Sequence, residues 1–302
     1  EWTFIDLGST LNTSQQDSSS NNHNGGIIET SGNTLVLLGK IKTGLGGTWL
    51  LDPTTITIVR NTSTTGGSLA SALGQSGAAT IEDIDLVSAL NAGTNVVLNA
   101  SSSITVNGAV IGWGSNKVTG SGNLTFTAPT INVNIDIITI GAQTYNGAVI
   151  LTADGKNSYE VNFTSNTSIT FNSTVNDNGS GNCLCVTAPI VRFYGNVGNS
   201  TIIDVVNVNA STGAYVYGNI TANSITFNNS VVHANATSVF SPNSISASSL
   251  IRDAYINLGI QASSTYSGTT TLNSFSSYTL TGLRSADSGV SLSSITVSNG
   301  NS

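Results

Sequence analysis

The chain has 302 residues and a formal net charge of −7, from 8 Lys and Arg against 15 Asp and Glu. That balance lacks the basic footprint that nucleic acid and anionic membranes require, and a charged fraction of 8%, against about 25% in ordinary soluble domains, excludes the surface of a common cytosolic enzyme. Hydrophobic residues at 38%, spread as short Val, Ile and Leu runs, exclude a disordered chain.

In chain order, residues 1–8, EWTFIDLG, read as a hydrophobic strand without a charged cap. GGIIETSG (Gly25 to Gly32), GGTWLLDP (Gly46 to Pro53) and TTITIV (Thr54 to Val59) follow, the last alternating apolar with polar residues. Between Ser68 and Gly93 the period changes: Leu69, Ala72 and Leu73, then Ile81, Ile84, Leu86 and Leu90, fall on one helical face, interrupted by Gly74 and Gly77. A short helical or loop excursion from a β scaffold is expected around 68–93. Beyond it short alternating strands recur as NVVLNA, SITVNG, NLTFTA, SITFNS, SITFNN and SITVSN. No window approaches 18 consecutive apolar residues, so no membrane span is expected.

The shared core of these strands, Ser/Asn–Ile/Leu–Thr–Val/Phe, has its first apolar residue at Ile104, Leu124, Ile169, Ile225 and Ile295, and Thr-Ala-Pro recurs at Thr127 and Thr187. Core spacings of 20, 45, 56 and 70 residues share no strict period, which argues against propeller blades. Rungs of about 20 residues with corner loops of variable length tolerate such drift. The expected fold is therefore all-β, an elongated parallel β-helix (β-solenoid) forming one domain over residues 1–302. Inward Ile, Val, Leu and Phe stack from rung to rung, Asn-Gly and Gly-Asn pairs turn the corners, and only 4 prolines interrupt the ladders. Antiparallel sandwiches are the alternative, because Asn-Gly also closes hairpins.

GGIIETSG, GGTWLLDP and TTITIV resemble segments of the filamentous-haemagglutinin-like family of large bacterial exoproteins, commonly exported by two-partner secretion. IDLVSALNAGTNVVLNA, SITVNGAVI and GAQTYNGAVILTAD continue the likeness, clear from residue 25 to 175 and carried by texture beyond. The resemblance implies a right-handed parallel β-helix at the cell surface or in the medium, acting as an adhesin or fibrous stalk. The family's N-terminal secretion domain is not identifiable in EWTFIDLGSTLNTSQQDSSSNNHN, which points to a segment of a longer precursor or to another export route.

No cluster of residues in the sequence carries an obvious chemistry. His23 and His233 lack a Ser-plus-acid partner at usable spacing, and the 8 basic residues scatter from Lys40 to Arg284, too thinly for the groove of a polysaccharide-cleaving β-helix. No enzyme activity, catalytic residue, metal or cofactor is expected. Glu82 to Asp85 (EDID), Asp154, Asp177 and Asp204 would hold calcium only if loops gathered them; lacking the nonapeptide calcium repeat, they read as solvated surface. Cys183 and Cys185 share one side of a strand, with a core position preferred to an outward, cross-linking one. Trp49, Trp113, Tyr194, Tyr215 and Tyr217 read as buried cap or corner residues, with a sugar-stacking face as the other option. Asp52-Pro53 reads as a turn.

These features point to an extracellular or cell-surface structural and adhesive fibre protein. Its expected partner is itself, head to tail through Trp2, Phe4, Ile5 and Leu7, or the remainder of a longer precursor, with host or surface glycans beside it. The rival is a carbohydrate- or ice-binding β-solenoid, which would show aligned Thr-X-Thr ladders; these occur only in fragments such as TTITI.

Overall fold

The computed structural model describes residues 2–5, 8–14, 25–32, 34–37, 40–60, 78–107, 117–152, 159–235, 237–241, 246–253, 271–272 and 295–296. Two compact units divide the chain, Glu1–Ile251 and Arg252–Ser302. In the second, Thr271–Leu272 pairs antiparallel with Ile295–Thr296. The repeat core at Ile295 therefore sits in an antiparallel pair, unlike the expected parallel one.

The first unit opens with β1 (Trp2–Ile5), β2 (Thr10–Asn12), β3 (Ile27–Ser31), β4 (Thr34–Leu37), β5 (Lys40–Lys42) and β6 (Thr48–Asp52). β7 (Thr55–Val59) and β8 (Ala78–Glu82) lead into α1 (Asp83–Asn91), followed by β9 (Asn95–Asn99) and β10 (Ser103–Asn107). The middle holds β11 (Leu124–Val133), β12 (Ile137–Thr139), β13 (Gln143–Leu151), β14 (Glu160–Ser165), β15 (Ser168–Phe171) and β16 (Val175–Asp177). β17 (Cys183–Thr187), β18 (Ile190–Phe193), β19 (Ile203–Asn209), β20 (Gly213–Val216), β21 (Ile220–Asn235) and β22 (Phe240–Ser241) follow. Apart from α1 these elements are strands, in keeping with the all-β expectation.

Their pairing is parallel and falls into three ladders that the chain visits in turn. The first runs β1, β4, β8, β7, β10, then the second halves of β11 and β13, then β16. It continues through single bridges from Val175 to Val197 and Ile220, and from there to β22. The second joins β2 to β5, and separately β12, β14, β17, β19 and the middle of β21. Where it is interrupted, α1 packs against β5, β8 and β9. The third runs β3, β6, β9, the first halves of β11 and β13, then β15, β18, β20 and the end of β21. Residues in register in adjacent layers lie from 18 positions apart, as Ala214 and Val232, to 48, as Thr55 and Ser103. Stacking and chain order part at one place: β8 is seated between β4 and β7.

Alternation within each strand decides the core. Ile56, Ile104, Ile131, Val149, Val175, Val197 and Ile220 form one buried column, and Ile137, Phe163, Val186, Val208 and Phe227 another. In the third ladder the rings of Phe126, Tyr145, Phe171 and Phe193 stack face to face at centroid distances of 5.2, 4.9 and 5.2 Å. Each such side chain removed from water contributes about 1.5–3 kcal/mol, and the ring stacking adds to that.

The two glycine-led segments of the sequence stack on each other in register, Ile28 on Trp49 and Thr30 on Leu51. The buried indole of Trp49 donates to Thr30 Oγ1 at 3.0 Å, so ETSG satisfies the polar atom of GTWLL. A Cβ on Gly47 would come within 2.7 Å of the Gly26 and Thr43 carbonyls, so only glycine lets these layers close. The motif is a packing device.

Within 68–93 the helix occupies only Asp83–Asn91. Leu69, Ala72 and Leu73 lie outside the described residues, Ile81 belongs to β8, and Ile84 is exposed while Leu86, Val87, Ala89 and Leu90 are buried. The helix begins two residues after Ile81, so the face predicted through Ile81 and Ile84 is broken.

Candidate functional site: an amide-lined groove

One residue beyond the inward Leu51, Leu98, Phe126, Tyr145 and Phe171 the chain leaves the third ladder for the first, and this position must face outward. Asp52, Asn99, Thr127, Asn146 and Asn172 occupy it in successive layers. The side chains bond along the column: Asn99 Nδ2 donates to Asp52 Oδ1 at 3.0 Å, Asn146 Nδ2 to Thr127 Oγ1 at 3.1 Å, and Asn172 Nδ2 to Asn146 Oδ1 at 2.6 Å. An amide both donates and accepts, so copies one strand spacing apart complement each other. The exposed Asn146 and Asn172 each keep a second N–H that no other described residue accepts.

The following position is small: Pro53, Ala100, Ala128, Gly147, Ser173. A Cβ on Gly147 would stand 1.7 Å from the Ala128 carbonyl oxygen, so the floor can hold nothing larger there. Amide column and small column together make an open groove of about 670 Å³ from Asn99 to Ser173, with no ionisable side chain in its lining.

The column continues into Tyr194 and Tyr217, whose rings stack at 4.7 Å with 47% and 43% of their surface exposed. Beside them Arg192, Tyr215 and His233 are in register: Tyr215 and His233 stack at 4.8 Å, and the Arg192 guanidinium carbon lies 5.5 Å from the Tyr215 ring centre. The tyrosines are thus not buried as expected. Phe193 and Val216 already take the inward places, which turns Tyr194 and Tyr217 out and leaves Tyr215, on the other side of Val216, half-buried. Trp49 is fully buried, as expected; Trp113 lies outside the described residues.

The acidic candidates do not converge. Asp83 is buried at 1% exposure, which overturns its reading as solvated surface, because the first turn of α1 is packed into the core. Burial, with the charges of Glu82 and Asp83 beside it, pushes the Asp85 carboxyl up to about 7. Asp177 accepts from Gly181 N at 2.8 Å and from Asn182 Nδ2, whose own Oδ1 is the one buried side-chain polar atom left without a partner among the described residues. Asp204 accepts from Asn223 at 2.9 Å. Asp154 and His23 lie outside the described residues. Among those residues no group of three or more His, Cys, Asp or Glu is placed to hold a metal ion, and no helix is long and apolar enough to cross a membrane.

Cys183 and Cys185 are free and half-buried on the outer side of β17, while Leu184 and Val186 fill the core. The larger apolar pair sets the parity, which corrects the inward assignment. Burial, then the nearby carboxylates Asp204 and Glu160, raises the Cys183 thiol; burial and Glu160 push Cys185 up to about 11. Both stay thiols at neutral pH and are poor nucleophiles and metal ligands there.

Of the N-terminal set, Trp2, Phe4 and Ile5 lie on β1, which pairs with the chain's own β4, and Ile5 is buried. Leu7 lies outside the described residues. Asp52, expected in a turn, instead closes β6, and Pro53 with Thr54 links it to β7. No family model matches the chain, and neither does a curated protein or a solved structure.

Proposed function

We propose that the chain is an adhesive segment of an extracellular or cell-surface fibre, built as a right-handed parallel β-helix of the filamentous-haemagglutinin-like kind. The observation that carries this reading is the set of parallel ladders with continuous apolar columns inside. A molecule made of stacked layers spans distance with few charges, and its neutral hydroxyl and amide exterior suits surface contact over catalysis. A polysaccharide-cleaving site would need acids and bases converging in a groove, and the groove from Asn99 to Ser173 is lined by neither. Association with a second copy proceeds through the strands that begin each ladder, β1 among them.

Electron microscopy of the purified chain, combined with adhesion of protein-coated beads to cells and to abiotic surfaces, tests the reading. Rods or filaments and bead retention above an uncoated control are expected. Compact particles that coat nothing would sink it.

A further inference from the structure

We infer that the corner groove binds an extended, uncharged polysaccharide lying along the amide column. This rests on the adhesive reading and gives it a ligand class. The lining offers amides, a hydroxyl rim and small apolar side chains but no charge, which fits a ligand rich in hydroxyls and devoid of ions. Asn146 and Asn172 are exposed and held in place by their bonds along the column, so their amides are preorganised and little ordering cost remains on binding.

Spacing separates a sugar chain from a peptide. Layers repeat at about 4.7–4.9 Å, close to the advance of one pyranose in an extended chain, so each sugar meets one layer. A bound peptide strand rises about 3.3 Å per residue and falls out of step. The floor at Ala128, Gly147 and Ala148 carries only small side chains, which leaves room for the C–H face of a sugar ring to come close. Tyr194 and Tyr217 extend the column past Asn172, with exposed ring surface for further units.

Isothermal titration of the full chain with neutral oligosaccharides of increasing length, with polygalacturonate and with unrelated peptides, tests this. Neutral chains are expected to bind, with affinity rising with length until the groove is filled. Ala148→Trp, which fills the floor, should weaken binding by about tenfold or more. Asn172→Ala, which removes a single exposed amide, should weaken it about two- to tenfold. Thr226→Ala, on the second ladder, should bind as the parent does, and thermal melts establish that each variant is folded. Absence of binding to every neutral chain, preference for the acidic polymer or a peptide, or affinity unchanged in both groove variants would each overturn the assignment. Rods and bead adhesion that persist without glycan binding would remove the groove's role alone, whereas loss of rods and adhesion in the parent removes the adhesive reading itself.

Discussion

Gln143 shows how much a single residue can hide from a sequence reading. It stands in a column with Leu124 below and Ile169 above, fully buried, where alternation alone asks for an aliphatic side chain. Its Nε2 donates to the carbonyls of Ile137 and Thr164 and to Thr139 Oγ1, and its Oε1 accepts from Tyr145 Oη at 2.8 Å. Burial holds the Tyr145 phenol well above its ordinary range, so it remains a donor. Tyr145→Phe keeps the ring stack but orphans Gln143 Oε1, and should cost about 1–3 kcal/mol of unfolding free energy. Chemical denaturation of the two proteins measures it, and equal midpoints would show that the hydroxyl bond is not worth its geometry. The apolar columns were legible residue by residue because parity needs only a strand's own pattern. The same rule turns Cys183 and Cys185 outward once Leu184 and Val186 are ranked above them, whereas the amide column of Asn99, Asn146 and Asn172 depends on which residues lie in the layers above and below. Asparagine was legible as a corner residue; its bonding between layers was not.

At the scale of elements, the irregular repeat spacing has a plain cause. Ile104 belongs to the first ladder, Leu124 and Ile169 to the third, and Ile225 to the second. The same four-residue core serves different sides of the stack, so its recurrences cannot share one period. The cores at Ile104, Leu124 and Ile169 have in common an inward residue stacked on both neighbours, and this predicts the effect of charge. Phe171→Asp sets an unpaired carboxylate between Tyr145 and Phe193 and should destabilise the unit by more than about 4 kcal/mol. An unchanged melting profile would mean that the register is wrong. The helix makes a different prediction, through pH. Asp85 titrates near 7 in the folded chain against an ordinary value of 3.8, so between those limits the native state holds the extra proton. Its contribution is therefore full below about pH 4, declines as pH rises, and is gone above about pH 7. Asp85→Asn should flatten this dependence and melt higher than the parent at about pH 8, while matching it near pH 4. A parent whose melting temperature rises between pH 5 and pH 8 relative to Asp85→Asn would contradict the burial of that carboxylate.

At the scale of the whole molecule, the ladders need something against their first strands. β1, β2 and β3 begin the three ladders, pairing with β4, β5 and β6, and among the described residues no strand lies on their other edges. An open strand edge is a template for another strand. The proposed head-to-tail contact uses that template, and it is heterologous, so it propagates instead of closing. Ile5 is already buried in its own unit, so changing it would test the fold and not the joint. Ile27 on β3 is better placed: 73% of its surface is exposed, on a strand whose neighbour Ile28 points into the core. Ile27→Lys sets a charge on the edge without touching that core, and the cost to monomer stability should stay within about 0.5 kcal/mol. Sedimentation velocity over a range of concentrations is expected to show association of the parent and its loss in Ile27→Lys. Because backbone pairing carries the joint and so few charges lie on the chain, raising the salt should leave the parent's association unchanged. A parent that stays monomeric at every concentration rejects the contact. One that associates but dissociates in salt assigns it to charged groups instead of the strand edge.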